Sequence, residues 1–316
     1  MKVLASAGRE DIALVYVAEF EGGKLLEFVE AVQPPKPREE KWVMLVSTLY
    51  GCPVGCAMCD AGGYYHGKVS KDEMFAQIDF VVRKRYPDGV IPAKQFKIQF
   101  ARMGEPAFNM AVLDVIAEMP ERYYVPGFMP SLSTIAPAGT ERFFERLLEI
   151  KRSKYAGGKF QFQFSVHTTD ENLRDEMIPV KKWDFAKMSA YGERFYEAGD
   201  RKITLNFALA EGMPVDPDVL LQYFSPEKFL IKITPLNPTY QAVEHGLTSY
   251  IDPHKNGNEY EIIQALRAAG YQVILSIGDV EENHIGSNCG QYVRKHLESM
   301  GGSLDGGYTY RVREIG

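Results

Sequence analysis

The chain has 316 residues, 45% of them hydrophobic, which is enough to bury one large core or two ordinary ones. Its 42 acidic residues outnumber the 36 Lys and Arg residues, so the formal net charge is −6. Proteins that grip nucleic acid neutralise several phosphates with clustered cations, and an acidic total therefore counts against RNA as a partner.

Four cysteines, three of them within eight residues, do not make a disulfide framework. The first eleven residues carry too few apolar side chains for a signal peptide, and no stretch is apolar over a membrane-spanning length. We therefore expect a soluble, cytoplasmic protein that has no membrane partner.

The first predicted element is a β-hairpin. Residues 12–20 and 24–32 are apolar or aromatic runs, and they flank the turn signal Glu21-Gly22-Gly23. Prolines and charges over residues 34–41 then predict a stiff polar connector. Residues 1–41 are accordingly assigned to an N-terminal β-hairpin extension and linker.

From residue 42 onward, predicted strands and helices alternate. The helix at 71–86 has the strongest start signal, because Ser70 and Glu73 can form a capping box. Strands are predicted at 42–47, 96–101, 127–133, 160–166, 202–207, 229–233 and 271–276, and the other helices at 109–118, 140–151, 185–198, 217–223 and 258–269.

Such alternation predicts an α/β fold with parallel strands and right-handed crossovers. For six or seven units the expected form is a partial (β/α)6-type TIM barrel, here over residues 42–277. Residues 278–316 then form a C-terminal extension that carries Cys289.

Directly after the first barrel strand, Cys52, Cys56 and Cys59 follow the spacing C-x3-C-x2-C. Three thiolates can hold three irons of a [4Fe-4S] cluster and leave the fourth iron open to a ligand. One alternative is a closed zinc site that recruits Cys289 as fourth ligand, and a second is three buried thiols without a metal.

The cysteine spacing resembles that of the radical S-adenosylmethionine (radical SAM) enzymes. In that superfamily SAM binds the open iron, and the reduced cluster cleaves it to a 5′-deoxyadenosyl radical. The resemblance implies both cofactors, the [4Fe-4S] cluster and SAM, and a reducing electron donor such as flavodoxin or ferredoxin.

Further polar residues follow the other predicted strands, where loops form the active site of a barrel. A glycine lets backbone approach a ligand closely, and a carboxylate can accept hydrogen bonds from the SAM ammonium group. Singly, such residues are as well explained as ordinary turn and cap residues. The resemblance implies that SAM contacts Gly104, Glu105, Ser133, Ser165, Val166, His167 and Asn237.

Longer motifs narrow the resemblance to the RlmN/Cfr-type RNA methyltransferases, which methylate C2 or C8 of adenosine. They are M-G-E-P-x-x-N at 103–109, the long match at 165–180 and N-C-G-Q at 288–291, within a resemblance that spans about residues 24–295. In that family the cysteine of C-G-Q accepts a methyl group from one SAM, and a second SAM supplies the radical that abstracts hydrogen from it. Cys289 matches this methyl carrier.

The chain also departs from that family. Leu45 stands where the family has the cysteine that resolves the covalent adduct, seven residues before the first cluster ligand. Glu30 resembles the family's proton-accepting glutamate, although an exposed hairpin carboxylate is an equally good explanation. Arg102 replaces a glycine and could bind an anionic group of the substrate, and Met58 replaces an aromatic residue. The short N-terminal part also leads us to expect no helical accessory domain.

The leading hypothesis is therefore a radical SAM enzyme that modifies a small-molecule substrate, with C-methylation through Cys289 as one form of the reaction. A second is an RNA adenosine C-methyltransferase that uses an external thiol or a partner protein. A third, from a different class, is a non-catalytic protein that binds the cluster or SAM.

Overall fold

The computed structural model describes residues 1–255, 260–288, 291–293 and 313–315. The chain forms two compact units, the first made of residues 1–53, 60–132 and 279–316, the second of residues 54–59 and 133–278. These units do not follow the boundaries predicted at residues 41 and 277. The reason is local: the N-terminal strands pair with the first predicted barrel strand and so share its sheet.

The first unit is built on a sheet that is partly parallel and partly antiparallel. Its main strands are β1 (Lys2–Arg9), β2 (Ala13–Phe20), β3 (Lys24–Val32), β4 (Trp42–Val46), β7 (Phe96–Phe100), β8 (Phe128–Thr134) and β13 (Arg313–Glu314), and a separate small hairpin contains β5 (Leu49–Gly51) and β6 (Tyr65–Lys68). β4, β7 and β8 pair in parallel, whereas β3, β2, β1 and β13 continue antiparallel from β4. β8 contributes its first five residues to this unit, and its last two open the second.

The predicted hairpin is present as β2 and β3, joined at Glu21–Gly23. β3 lies between β2 and β4, with Val29 opposite Leu45 of β4. Its middle residues, 26–30, are buried on both faces, including two glutamates. The hairpin is therefore an integral part of the sheet. Its two buried glutamates each require a partner inside the protein.

The helices of the first unit are α1 (Lys71–Arg85), α2 (Ala111–Arg122) and α9 (Val280–Ile285). The capping box predicted for α1 is confirmed: the Glu73 amide donates to Ser70 Oγ (3.2 Å) and the Ser70 amide to the Glu73 carboxylate (2.7 Å). The helix buries the apolar face formed by Met74, Ile78 and Val82.

The second unit has an all-parallel sheet in which spatial order follows chain order. Its strands are β9 (Gln161–Ser165), β10 (Ile203–Leu209), β11 (Phe229–Pro235) and β12 (Val273–Leu275), and its helices are α3 (Glu141–Lys154), α4 (Glu171–Met177), α5 (Phe185–Phe195), α6 (Pro217–Tyr223), α7 (Tyr240–Glu244) and α8 (Glu261–Ala268). The predicted α/β fold with parallel strands is confirmed. Among the described residues, no helix combines the length and the apolar character needed to cross a membrane.

The core of the second unit is aromatic. Five rings pack against one another: Phe144, Phe162, Trp183, Tyr191 and Phe195. Beside them the buried Lys151 ammonium donates to the Phe195 carbonyl (2.8 Å) and pairs with Asp200. Because α3 supplies this lysine and the chain before β10 supplies the aspartate, the ion pair fixes the helix against the sheet.

Candidate active site

The first part of the cysteine loop is shaped by Gly51, at the end of β5. Gly51 has φ 77°, and a Cβ there would lie 1.7 Å from the Tyr64 carbonyl oxygen, so only glycine fits. The next residue, Cys52, forms a parallel bridge with Gly62. The chain thus enters the loop along the β5–β6 hairpin, which holds Cys52 at its end.

The second part of the loop belongs to the other unit and is a tight turn. The Cys59 amide donates to the Cys56 carbonyl at 3.0 Å. The Ala57 amide donates to the carbonyl of Met177, the last residue of α4, also at 3.0 Å. These bonds fix the backbone between the two thiols.

Met58 anchors this turn on the carboxyl ends of two strands. Its side chain packs on the small cluster of Ala210, Leu236 and Ala242, which follows β10 and β11. Its carbonyl accepts from Thr239 Oγ1 at 2.9 Å. Methionine fills this irregular gap between loops, which accounts for its presence where the family carries an aromatic ring.

The three thiols of the loop are each partly buried. Among the described residues, no three His, Cys, Asp or Glu side chains are grouped as ligands of one metal ion. Three thiolates at this spacing are the donor set of a [4Fe-4S] cluster with one open iron, whereas a closed zinc site needs a fourth ligand. Cys289, which the zinc alternative needs, lies outside the described residues.

Gly104 and Glu105 follow β7 and lie against the chain that leads to the cysteines. Gly104 has φ 95°, and a Cβ there would meet the Leu49 side chain at 2.4 Å. Thr48 Oγ1 donates to the Met103 carbonyl at 3.2 Å. The Glu105 carboxylate accepts from the Ala107 amide at 3.0 Å and so caps its own short turn. Contact of these residues with SAM stays a prediction.

Asn109, the last residue of M-G-E-P-x-x-N, has a structural role. Its side-chain amide donates to the Thr48 carbonyl (2.8 Å) and to the Val69 carbonyl (2.7 Å). It therefore ties the chain before the cysteine loop to the chain before α1.

Ser133 lies near the end of β8, Ser165 is the last residue of β9, and Val166 and His167 follow it. Gln163 of β9 donates to Ser133 Oγ, which joins the two strand ends. The Val166 and His167 amides donate to the Asn206 carbonyl of β10 at 2.9 and 3.3 Å. The structure thus brings this polar group together within the second unit.

His167 is held as a neutral imidazole. Its Nδ1 accepts from the Ala208 amide at 3.1 Å, so the ring proton is on Nε2, which can act as a donor. Burial, with a smaller contribution from the Arg174 guanidinium, lowers the pKa of His167 to about 4. Its φ of 69° is rare for a residue other than glycine, and such conformations concentrate at functional sites.

Asn237 is half-buried immediately after β11. Its carbonyl accepts from the Thr239 amide at 2.8 Å, and Thr239 in turn holds Met58 of the cysteine loop. Asn237 thus lies close in the fold to Cys56 and Cys59.

Arg102 is not available to an anionic substrate group in this structure, contrary to the role predicted for it. Its side chain is fully buried and forms a 2.5 Å ion pair with Glu27 of β3. Its Nη2 also donates to the carbonyl of Gly286 (2.9 Å), and its Nη1 donates to the carbonyls of Ser287 (2.9 Å) and Asn288 (3.2 Å).

Glu27, the partner of Arg102, is a residue that the sequence analysis did not single out. Its second oxygen accepts from the amides of Tyr292 (2.7 Å) and Val293 (3.2 Å). Burial raises the pKa of Glu27, while Arg102 and the two amides oppose the rise. The sequence feature that could have revealed Glu27 is a charged residue within an apolar strand. The spacing of apolar residues, however, does not show which residue pairs with that charge.

Glu30 is buried and paired, so it is not the exposed hairpin carboxylate considered above. Tyr16 donates to it at 2.6 Å, and Arg85 of α1 makes two bonds of 2.8 and 3.1 Å. These partners make it a link between the hairpin and α1, and its predicted catalytic role stays a prediction. Burial and the neighbouring Glu30 raise the pKa of Tyr16.

Glu282 of α9 is a second residue that the sequence analysis did not single out. Burial raises the pKa of its carboxyl to about 7, with a smaller contribution from Asp279, while a bond from the Asn288 side chain lowers it. The Asn288 side chain that bonds Glu282 belongs to the residue immediately before Cys289 in the chain.

No protein-family model matches the chain. In sequence it is 25% identical over 271 residues to a probable dual-specificity RNA methyltransferase RlmN from Parafrankia sp., covering 80% of this chain and 65% of that protein. It is 26% identical over 275 residues to the dual-specificity RNA methyltransferase RlmN of Halorhodospira halophila, covering 84% of this chain and 69% of that protein. A probable RlmN from Frankia alni is 25% identical over 85% of this chain and 62% of its own length. The chain thus spans about two thirds of the length of these relatives.

In structure the chain is similar to a radical SAM methyltransferase from Sphaerobacter thermophilus. The TM-score is 0.69 and the sequence identity 19%, over 92% of this chain and 81% of the other. At that identity the likeness establishes the fold. The chain thus resembles the RlmN-type RNA methyltransferases in sequence, and it has the fold of a radical SAM methyltransferase.

Proposed function

We propose that the protein is a radical SAM methyltransferase with a partial (β/α)6 barrel, and that Cys52, Cys56 and Cys59 bind its [4Fe-4S] cluster. The observation that carries this proposal is the C-x3-C-x2-C loop, seated at strand ends in a chain that resembles RlmN. When bound, the cluster supplies the electron that cleaves SAM reductively.

The chain's own residues would orient SAM. The Glu105 carboxylate suits its ammonium group, and Gly104, where a Cβ would meet Leu49, lets the backbone before Glu105 lie close against the chain that leads to the cysteines. His167 presents a neutral Nε2–H donor, and the remaining contacts are proposed for Ser133, Ser165, Val166 and Asn237.

Cys289 would act as the methyl carrier. A new Sγ–CH3 bond forms at Cys289 while the sulfonium–CH3 bond of SAM breaks. The sulfonium sulfur keeps the electron pair, S-adenosylhomocysteine leaves, and the thiol proton passes to solvent or to a nearby carboxylate.

Leu45 sets a requirement for product release. It lies in β4 between Val29 of β3 and Gln99 of β7. Because this residue is leucine, no thiol is present at the family's resolving position. Release would then use an outside thiol, whose sulfur forms a disulfide with Cys289 as the bond from Cys289 Sγ to carbon breaks. The carbon keeps the electron pair and takes a proton.

RNA is the substrate to test first, because the relatives are named as RNA methyltransferases. A small molecule is the second candidate, and the formal net charge of −6 favours it. Methylation of RNA adenosine and methylation of a small aromatic molecule would use the same cysteine chemistry.

The test is anaerobic reconstitution with iron, sulfide, SAM and dithionite, followed by measurement of iron content and products. We expect about four irons per chain, with 5′-deoxyadenosine and S-adenosylhomocysteine both formed. The Cys56→Ala variant should lose the iron and the radical product 5′-deoxyadenosine, whereas Cys289→Ala should keep the iron and lose S-adenosylhomocysteine. Folded wild-type protein that takes up no iron would overturn the proposal, and iron uptake without either product would indicate a binding protein.

A further inference from the structure

One buried hydroxyl holds the backbone between two of the predicted cluster ligands. Thr239 Oγ1 donates to the Met58 carbonyl at 2.9 Å, and Met58 lies between Cys56 and Cys59 in the chain. All four residues belong to the second unit. Because Thr239 is only 3% exposed, this bond is shielded from competing water.

The same oxygen is the N-cap of α7. It accepts from the Ala242 amide at 3.0 Å, and the extended backbone of Thr239 (φ −70°, ψ 164°) is the usual one for this position. A hydroxyl has one donor and two acceptor lone pairs, so it can cap the helix and donate to the loop at once. Among the side chains that cap helices well, only serine and threonine combine both functions at one oxygen.

The turn that carries the two cysteines has further fixed points on either side of Met58. The Ala57 amide donates to the Met177 carbonyl and the Cys59 amide to the Cys56 carbonyl, both at 3.0 Å. Thr239 supplies the bond at the residue between them. The Met58 side chain also packs on the cluster that contains Ala242, whose amide Thr239 caps, so the start of α7 and the turn are joined twice.

We propose that Thr239 is a positioning residue that sets the spacing of the Cys56 and Cys59 thiols for the cluster; this inference rests on the proposed function. Thiolates that bind different irons must keep a fixed separation, and the backbone between them controls it. Groups that bond to the surroundings of metal ligands orient those ligands and tune the metal. The Thr239 amide also donates to the Asn237 carbonyl at 2.8 Å, so this residue connects the turn to a predicted SAM contact.

The first experiment measures hydrogen exchange at the Cys59 and Ala242 amides of the full chain before reconstitution. Thr239→Val keeps the shape of the side chain but removes the hydroxyl, so both amides should exchange at least about tenfold faster than in wild type. Thr239→Ser retains the hydroxyl and should stay within about threefold. The matched control is Thr140→Val, since the buried Thr140 hydroxyl donates to the Pro137 carbonyl (2.6 Å) elsewhere in the second unit. Faster exchange at Ala242 alone would overturn the inference, because the hydroxyl would then only cap α7.

The second experiment uses the reconstituted protein and measures iron loss to a chelator and the electron paramagnetic resonance spectrum of the reduced cluster with SAM. Thr239→Val should lose iron at least about tenfold faster than wild type and give a broadened spectrum, because its thiols are held less firmly. Thr239→Ser and Thr140→Val should match wild type. Wild-type iron loss and spectrum in Thr239→Val would overturn the inference. If wild type takes up no iron, the proposed function fails, and exchange at Cys59 still decides whether Thr239 holds the turn.

Discussion

His167 shows how one residue shapes a strand end. Its positive φ costs about 1–3 kcal/mol for an ordinary residue, so the surrounding bonds must hold it in place. Those bonds come from β10, through the Asn206 carbonyl and the Ala208 amide. The same bonds place the ring proton of the neutral imidazole on Nε2, which leaves Nε2 as a hydrogen-bond donor.

The buried His167 should make stability depend on pH. Its pKa is about 4 in the folded protein and 6.5 ordinarily, so the unfolded chain binds the extra proton between these values. The free energy of unfolding should therefore fall as pH drops from 6.5 toward 4, by at most about 1.4 kcal/mol per pH unit, and His167 should contribute no pH dependence above 6.5. Urea unfolding of wild type and His167→Asn across this range measures the difference. Identical pH dependence in the two proteins would contradict the assignment.

Leu45 offers a gain-of-function prediction. If the missing thiol limits product release, Leu45→Cys should restore it, because β4 already holds this position between β3 and β7. Methylated product released per chain, measured without added thiol, should rise from near zero to about one, because each release leaves a disulfide with Cys289 that no thiol is present to reduce. Leu45→Ser is the control for a small polar residue without sulfur. Multiple turnovers in wild type without any thiol would show that release follows another route.

At the scale of elements, buried ion pairs join strands and helices. Glu30 of β3 accepts from Tyr16 of β2 and from Arg85 at the end of α1. Lys151 of α3 pairs with Asp200 and donates to the last residue of α5. Because a buried charge requires its partner, these pairs select one packing of helix on sheet, which nonpolar contacts would specify less sharply.

Lys151→Met should test the element-level pair in the second unit. Removing the ammonium leaves Asp200 without its cation, so we expect the free energy of unfolding to fall by about 3–5 kcal/mol. Lys154→Met, at the exposed end of the same helix, should have a much smaller effect. Denaturant unfolding of the two variants provides the measurement, and equal losses would mean that the buried pair has no special role.

At the scale of the whole molecule, the acidic balance and the relatives point to different substrates. RNA binding would require a local excess of cations on a chain whose formal net charge is −6. The relatives are nonetheless named as RNA methyltransferases, and their alignments cover 80% and 84% of this chain. Salt dependence distinguishes the two cases, because only a polyanion releases many counterions on binding.

If RNA is the substrate, transfer of labelled methyl groups from SAM to RNA should fall steeply as salt rises. Contacts to six or more phosphates would lower affinity by about 10³-fold between about 50 and 200 mM salt. Formation of 5′-deoxyadenosine without RNA should change little over the same range and serves as the control. Label found only in a small-molecule extract would favour the second substrate class.

Local patterns were sufficient to predict much of the fold. The capping box of Ser70 and Glu73 marked the start of α1, and the hairpin strands were located to within a residue. The first strand, Lys2–Arg9, went unpredicted, since alanine, serine and glycine give it a weak apolar pattern. Short helices such as Glu171–Met177 also lack a full period of apolar residues and were missed.

The sequence by itself determined the cysteine spacing, the order of strands and helices, and the resemblance to RlmN-type enzymes, because these are written in neighbouring residues. Only the tertiary structure decided which partners Arg102, Glu27 and Glu30 contact. Arg102 and its carbonyl partners lie 184 to 186 residues apart in the chain, and Glu27 lies 265 residues from Tyr292. Whether a charge faces solvent or a buried partner depends on such distant segments meeting, and no local pattern records that meeting.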